Sequence, residues 1–294
     1  MEGTFIPPRR ICLSGGGIRA VSFIGALEVL EEHGLLKAVQ EYVGVSAGAF
    51  MGFCMCLGYS LNDLKRLCLA FDFTLIRTLE PESALLFMDA YGLDEGEKLM
   101  KFFETILKQK GYTTELTFAE LAAKGPALRC YATNLNTCSV REFSAAITPT
   151  VRLVDALRAT MGLTFFYTPV VDPHTGHLLT DGGVMNNYPL GFLTPDEQKH
   201  SLGFTFSNTH IQNKEVTDFF GFIQQIFGCI YLARDKQMTS LMREKTICLP
   251  NGDYPSWNFE ATKEDRQRLI DQAAAATRSF LATKPRKGLR RFSV

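Results

Sequence analysis

Apolar residues in this chain fall into short unbroken runs that alternate with longer segments where they recur every three or four positions. Arg10-Ile11-Cys12-Leu13 reads as a buried strand. Residues 21–33 read as a helix, with Ile24, Leu27 and Leu30 inward and Glu28, Glu31 and Glu32 outward. Gly34 supplies its stop. Tyr42-Val43-Gly44-Val45 reads as a second strand, leading into a helix-compatible run over 47–57. Farther on, the spacing predicts an amphipathic helix over 94–110, strands over 128–132 and 140–143, and a helix over 151–161. Val170-Val171 and Leu178-Leu179 flank a Pro173-His174-Thr175-Gly176 turn and predict a hairpin. A strand over 202–206, a long apolar helix over 216–242 and a terminal helix over 262–281 complete the pattern. Strand and helix in alternation predict a mostly parallel sheet covered on both faces, hence a three-layer α/β/α arrangement. No internal repeat is evident.

The uncharged stretch 42–62 is long enough to span a bilayer. Its glycine turn at 44–48 and its lack of a sustained apolar core instead predict a helix buried under the sheet. With 294 residues, 46% of them hydrophobic, the chain supports a large core, and no Pro/Ser-rich linker divides it. The formal net charge is zero, which argues against bulk attraction to nucleic acid. The eight cysteines lack metal-type pairing, and Cys12, Cys54 and Cys56 fall on apolar faces, so reduced thiols and a cytosolic setting are expected. The opening MEGTFIPPRR has no apolar secretory core, so no signal peptide is expected.

Three glycine-rich turns carry the candidate chemistry. In Gly44-Val45-Ser46-Ala47-Gly48 the serine sits on a strand-to-helix bend, where small flanks expose its hydroxyl and the helix start points N–H groups at the reacting centre. In Ser14-Gly15-Gly16-Gly17-Ile18-Arg19-Ala20, three consecutive glycines leave backbone N–H groups unobstructed for an anion or oxyanion. The same segment meets the dinucleotide fingerprint, but that motif wants an acid near the end of the second strand. Glu41, the nearest acid, is read as lying before that strand. The third turn is Thr180-Asp181-Gly182-Gly183, in which a short strand delivers a carboxylate able to accept a serine proton if burial raises its pKa toward neutrality. A Ser-Asp-His triad would draw its histidine from His200 or His210, neither of which has a recognisable motif around it.

GGGIRA, GVSAG and DGG, in this order, resemble the three signature blocks of patatin-like phospholipases. The segments around Thr117 to Leu121 and Ala132 to Thr137 are also similar to that family, so the resemblance covers residues 9–192. Thr164 stands where a proline is usual and Ala20 where glycine is common. The resemblance implies a patatin-like fold and a Ser-Asp dyad. Ser46 would be the nucleophile, Asp181 its base, and the Gly15, Gly16 and Gly17 backbone the oxyanion hole. Arg19, Gly44, Gly48, Gly182 and Gly183 would support the motifs. The implied activity is acyl-ester hydrolysis of phospholipid or related lipid, of phospholipase A type, with no metal or cofactor. The contrasting expectation is a catalytically silent lipid-binding module, or a Ser-Asp-His esterase.

The expected domain spans 9–283 after an extension at 1–8, with a basic tail at 284–294. That tail, with Arg278, Lys284, Arg286, Lys287, Arg290 and Arg291, would contact anionic membrane. Phe165-Phe166-Tyr167 and Phe219, Phe220 and Phe222 are candidates either for the lipid interface or for the core. A cytoplasmic enzyme, peripheral at membranes or lipid droplets, is the resulting expectation.

Overall fold

The computed structural model describes residues 6–78, 83–207, 215–235, 237–251, 254 and 260–284. β1 (Arg10–Leu13) runs through a 3-10 turn (Gly17–Val21) into α1 (Ser22–Glu32), and β2 (Glu41–Val45) into α2 (Ala47–Cys56). α3 (Leu61–Ala70), α4 (Ser83–Ala90), α5 (Glu97–Gln109) and α6 (Phe118–Ala122) follow. β3 (Ala127–Asn134) and β4 (Ser139–Ser144) form a hairpin, then come α7 (Leu153–Thr160), β5 (Val170–Val171) and β6 (Leu178–Asp181). The rest is α8 (Gly183–Asn186), α9 (Pro195–Lys199), β7 (Ser201–Phe206), α10 (Phe219–Asp235), α11 (Ser240–Glu244), β8 (Thr246–Leu249) and α12 (Lys263–Ala282).

The strands form one mixed, mostly parallel sheet, hydrogen-bonded in the succession β5 to β6, β6 to β3, β3 to β2, β2 to β1, β1 to β7 and β7 to β8, with β4 also paired to β3. Because successive side chains point to opposite faces, the sheet divides two cores. Ile11, Leu13, Tyr42, Leu128, Cys130 and Phe204 pack under the larger helices, while Cys12, Val43, Val45 and Tyr131 pack against Tyr188, Leu190 and Leu193. The second layer is thus thinner than the first. The α1 pattern holds: Ile24, Leu27 and Leu30 are fully buried, and Gly34 turns the chain at φ 69°.

The expected helix over 216–242 is two helices, α10 and α11, because Thr239 caps a new start by accepting the Met242 N–H at 3.2 Å. β8 and the helices α3 and α4 were not anticipated from the pattern. Of the described residues, no helix is long and apolar enough to cross a membrane. Arg278 pairs with Glu32, while the tail beyond Lys284 lies outside the described residues.

One feature of register positions the site. β4 lines one edge of β3 from Arg129 to Asn134, so β2 and β6 both lie along the other edge. Val45 pairs with Tyr131 and Asp181 with the next residue, Ala132. β2 is parallel to β3 and β6 antiparallel, so the C-terminal ends of β2 and β6 meet head to head.

The opposite end of the sheet is tied by charge. Glu41 begins β2, contrary to the expectation that it precedes the strand, and receives Arg129 at 2.9 and 3.0 Å and Arg10 at 2.7 Å. It therefore joins three strands at their N-terminal ends, far from where a dinucleotide ribose would need it. Glu41→Gln is expected to cost about 1–3 kcal/mol, because it weakens charge-assisted bonds on partly buried arginines. Urea unfolding checks this; an unchanged midpoint would show that the network contributes nothing.

Candidate active site

Ser46 stands alone between β2 and α2, at φ 52° and ψ −129°. A non-glycine residue there carries strain of roughly 1–3 kcal/mol, which the surroundings must hold in place. They do so on both sides. The Ser46 N–H donates to Thr160 Oγ1 at 2.9 Å, and that hydroxyl donates onward to the Tyr131 carbonyl at 2.5 Å. Gly44 and Gly48 allow the bend to close. A side chain on Gly48 would meet the Leu13 and Ser14 carbonyls, and one on Gly44 the Ala49 backbone.

Where β2 and β6 meet, Ser46 Oγ donates to Asp181 Oδ2 at 2.7 Å. The other carboxylate oxygen accepts the Gly183 N–H at 2.8 Å, and the Asp181 carbonyl accepts Thr133 Oγ1 at 2.8 Å. Asp181 is 7% exposed. Burial pushes its carboxyl up to about 6, against the opposing pull of the Gly183 and Ser46 hydrogen bonds. A carboxylate so poised is a competent proton acceptor near neutral pH.

The first glycine turn abuts this pair: a side chain on Gly15 would stand 3.2 Å from Ser46 Cβ. Asn187 clamps the turn, giving its carbonyl to the Gly15 N–H at 3.0 Å and its Nδ2 to the Gly15 carbonyl at 2.8 Å. The Gly15 amide, expected among the oxyanion donors, is therefore already occupied. Buried Arg19 holds the Gly16 carbonyl through Nε at 3.2 Å, with its guanidinium over the Phe206 ring at 5.2 Å. Across a trans peptide the N–H points opposite to the carbonyl. Fixing the Gly15 and Gly16 carbonyls thus turns the Gly16 and Gly17 N–H groups the other way. Those two amides and that of Ala47, at the start of α2, bond to no described residue, which leaves them open to a negative oxygen.

An apolar slot of about 90 Å³ opens between Gly17 and Ala47, walled by Phe50, Phe73, Phe102 and Met161. A larger cleft of about 700 Å³ beside α5 and α7 contains neither Ser46 nor Asp181, and its charged lining is Glu95, Glu97, Glu104, Asp155 and Asp172 with Lys101 and Arg158.

The histidines stand apart. His200 lies at the N-terminal end of β7, where its carbonyl accepts the Arg9 and Arg10 N–H groups. That is about 13 Å along the strand from Phe204, which receives Ser14, at ~3.3 Å per residue. His177 faces the Asn134 side chain and His33 the Val29 carbonyl; His210 lies outside the described residues. Among the described residues, no group of three or more His, Cys, Asp or Glu side chains is placed to hold a metal ion. Thr160 and Asn187 were not singled out for a role in the sequence.

A family model described as patatin-like phospholipase matches residues 11–194, more than half of the chain. The chain belongs to the patatin-like phospholipase family. It is 26% identical to a probable lipid hydrolase of Invertebrate iridescent virus 6 over 62% of each chain, so it spans less than two thirds of that relative. It is 25% identical to the uncharacterized protein YqhO of Bacillus subtilis, over 91% of this chain and 96% of that one. In fold it is similar to VipD from Legionella pneumophila, with a TM-score of 0.65 at 16% identity, covering 96% of this chain and 68% of the other.

The raised pKa of Asp181 in this patatin-like site is also a statement about stability. A carboxyl pushed from 3.8 to about 6 binds its proton more tightly in the folded state, so its contribution falls as pH rises through that window. Asp181→Asn, neutral at every pH, escapes this loss. Relative to the parent, the variant is expected to gain about 3 kcal/mol between pH 3.5 and 7. Parallel urea titrations at several pH values measure the difference; a constant difference would mean that the carboxyl titrates normally.

Proposed function

We propose that this patatin-like protein is a lipid acyl hydrolase of phospholipase A type, working through a Ser46–Asp181 dyad. In acylation, Ser46 Oγ attacks the ester carbonyl carbon while its proton passes to Asp181. The Gly16, Gly17 and Ala47 amides receive the tetrahedral oxyanion. Collapse breaks the bond to the alcohol oxygen, which leaves with the proton returned from Asp181. Water then attacks the acyl-enzyme, gives a proton to Asp181, and frees the fatty acid as Ser46 recovers its hydrogen. The acyl chain enters the slot between Gly17 and Ala47, whose walls offer it contacts that a polar headgroup cannot use.

The observation that carries this reading is the 2.7 Å bond from Ser46 Oγ to a buried carboxylate. It is supported by the placement of His200 at the opposite end of the sheet, which leaves Asp181 as the base within reach of Ser46 among the described residues. Arg19 and Asn187 serve as positioning residues for the glycine turn, and Gly182 and Gly183 shape the turn that presents Asp181. The basic tail adds electrostatic attraction to anionic lipid.

Ser46→Ala is expected to abolish hydrolysis of phospholipid vesicles and p-nitrophenyl esters while leaving the circular dichroism spectrum unchanged. For the parent, kcat/KM should rise with pH through about 6 and then level off, because only ionised Asp181 accepts the proton. His200→Ala should retain that profile. An acid limb near pH 4, or a folded but inactive His200→Ala, would contradict the direct dyad.

A further inference from the structure

α10 is a surface helix whose outer face does not suit water. From Phe219 to Ala233 it carries no charged residue, whereas a helix facing solvent ordinarily places charges on its outer side. Ile223 and Phe227 are buried and account for the inner side. Phe222, Ile226 and Cys229 follow at i, i+4 and i+7, one above another in a stripe about 100° around the helix from that inner side. Phe222 is 50% exposed, Ile226 46%, and Cys229 is also exposed.

The position of this stripe gives it meaning. α10 packs on α8, the short helix that begins two residues after Asp181. On the other side of Asp181, its N–H donates to the Gly162 carbonyl at 3.0 Å, and three residues farther along stands Phe165. Phe165 is 40% exposed at a left-handed φ of 70°, unlike its buried neighbours Phe166 and Tyr167. Two exposed apolar outcrops therefore flank the segment that presents the carboxylate.

We propose that the outer stripe of α10, together with Phe165, is the surface on which this protein rests against a lipid bilayer. The proposal rests on the reading of the site as a lipid hydrolase, whose substrate lies in that bilayer. A lipid-facing surface on the helix that packs against α8, beside Asp181, holds the site close to the bilayer that contains its ester. The 17 residues of α10 measure about 25 Å, less than the roughly 30 Å hydrocarbon core. The helix therefore lies in the membrane plane, with Phe222 and Ile226 below the headgroups. Docking through a helix beside the dyad orients the site, which a basic tail acting alone does not.

The test pairs Phe222→Glu with Ile226→Glu, both outward-facing, in the Ser46→Ala background so that binding is read without hydrolysis. Sedimentation with phosphatidylcholine/phosphatidylserine vesicles is expected to show a partition coefficient lowered about tenfold or more. In the active enzyme the same pair should lower hydrolysis of vesicle phospholipid and leave turnover of soluble p-nitrophenyl butyrate unchanged. The milder pair Phe222→Ser and Ile226→Ser serves where the glutamates unfold the chain. An unchanged partition coefficient in a folded variant would overturn the proposal. So would a parent that sediments as a dimer and becomes monomeric with the pair, since the stripe would then join two copies. Lowered partition in a protein that hydrolyses no ester would uphold the docking face and defeat the hydrolase reading. Full ester turnover with unchanged partition would do the reverse.

Discussion

The site depends on two strands sharing one edge of β3. Because β4 occupies the far edge, the ends of β2 and β6 are forced together at consecutive β3 positions, Tyr131 and Ala132. Ser46 is the first residue past one end and Asp181 the last residue of the other. Their hydrogen bond is therefore built from main-chain register rather than from flexible side chains, and 135 positions of sequence separation are bridged by the sheet itself.

That geometry needs reinforcement, since Ser46 is held in an unfavourable backbone region and Asp181 is stripped of water. Thr160 answers the first need by linking the Ser46 N–H to the Tyr131 carbonyl. Gly183 and Thr133 answer the second by hydrogen-bonding Asp181 from both its carboxylate and its carbonyl. The charged network around Glu41 lies at the other end of the strands, so stability drawn from ion pairs is kept away from the end where burial tunes a carboxyl.

Much of this was legible because glycine turns punctuate the chain at the points where strands end. The strands at 10–13, 42–45 and 202–206 follow from runs and turns, and the meeting of Ser46 with Asp181 from the resemblance of their glycine turns to the patatin-like signature blocks. Asn187 and Thr160 were not assigned roles for a physical reason. Each acts on a partner more than a hundred positions away, 172 from Asn187 to Gly15 and 114 from Thr160 to Ser46, and neither interaction leaves a periodic or local turn signal. The occupied Gly15 amide was hidden for the same reason. The split between α10 and α11 was readable in principle, since Thr239 is a capping residue, and Pro250 marks the end of β8. The polar run Arg234-Asp235-Lys236-Gln237 just before Thr239 is a further break signal in the sequence.

The direct transfer of the serine proton to Asp181 is the central claim, and covalent capture by a fluorophosphonate tests it. Mass spectrometry of digested protein should place the adduct on Ser46 in the parent and in His200→Ala at equal rates. In Asp181→Asn the rate should fall by several orders of magnitude, because the amide accepts no proton. Rapid labelling of Ser46 in a folded Asp181→Asn protein, or an adduct on another serine, would contradict the account.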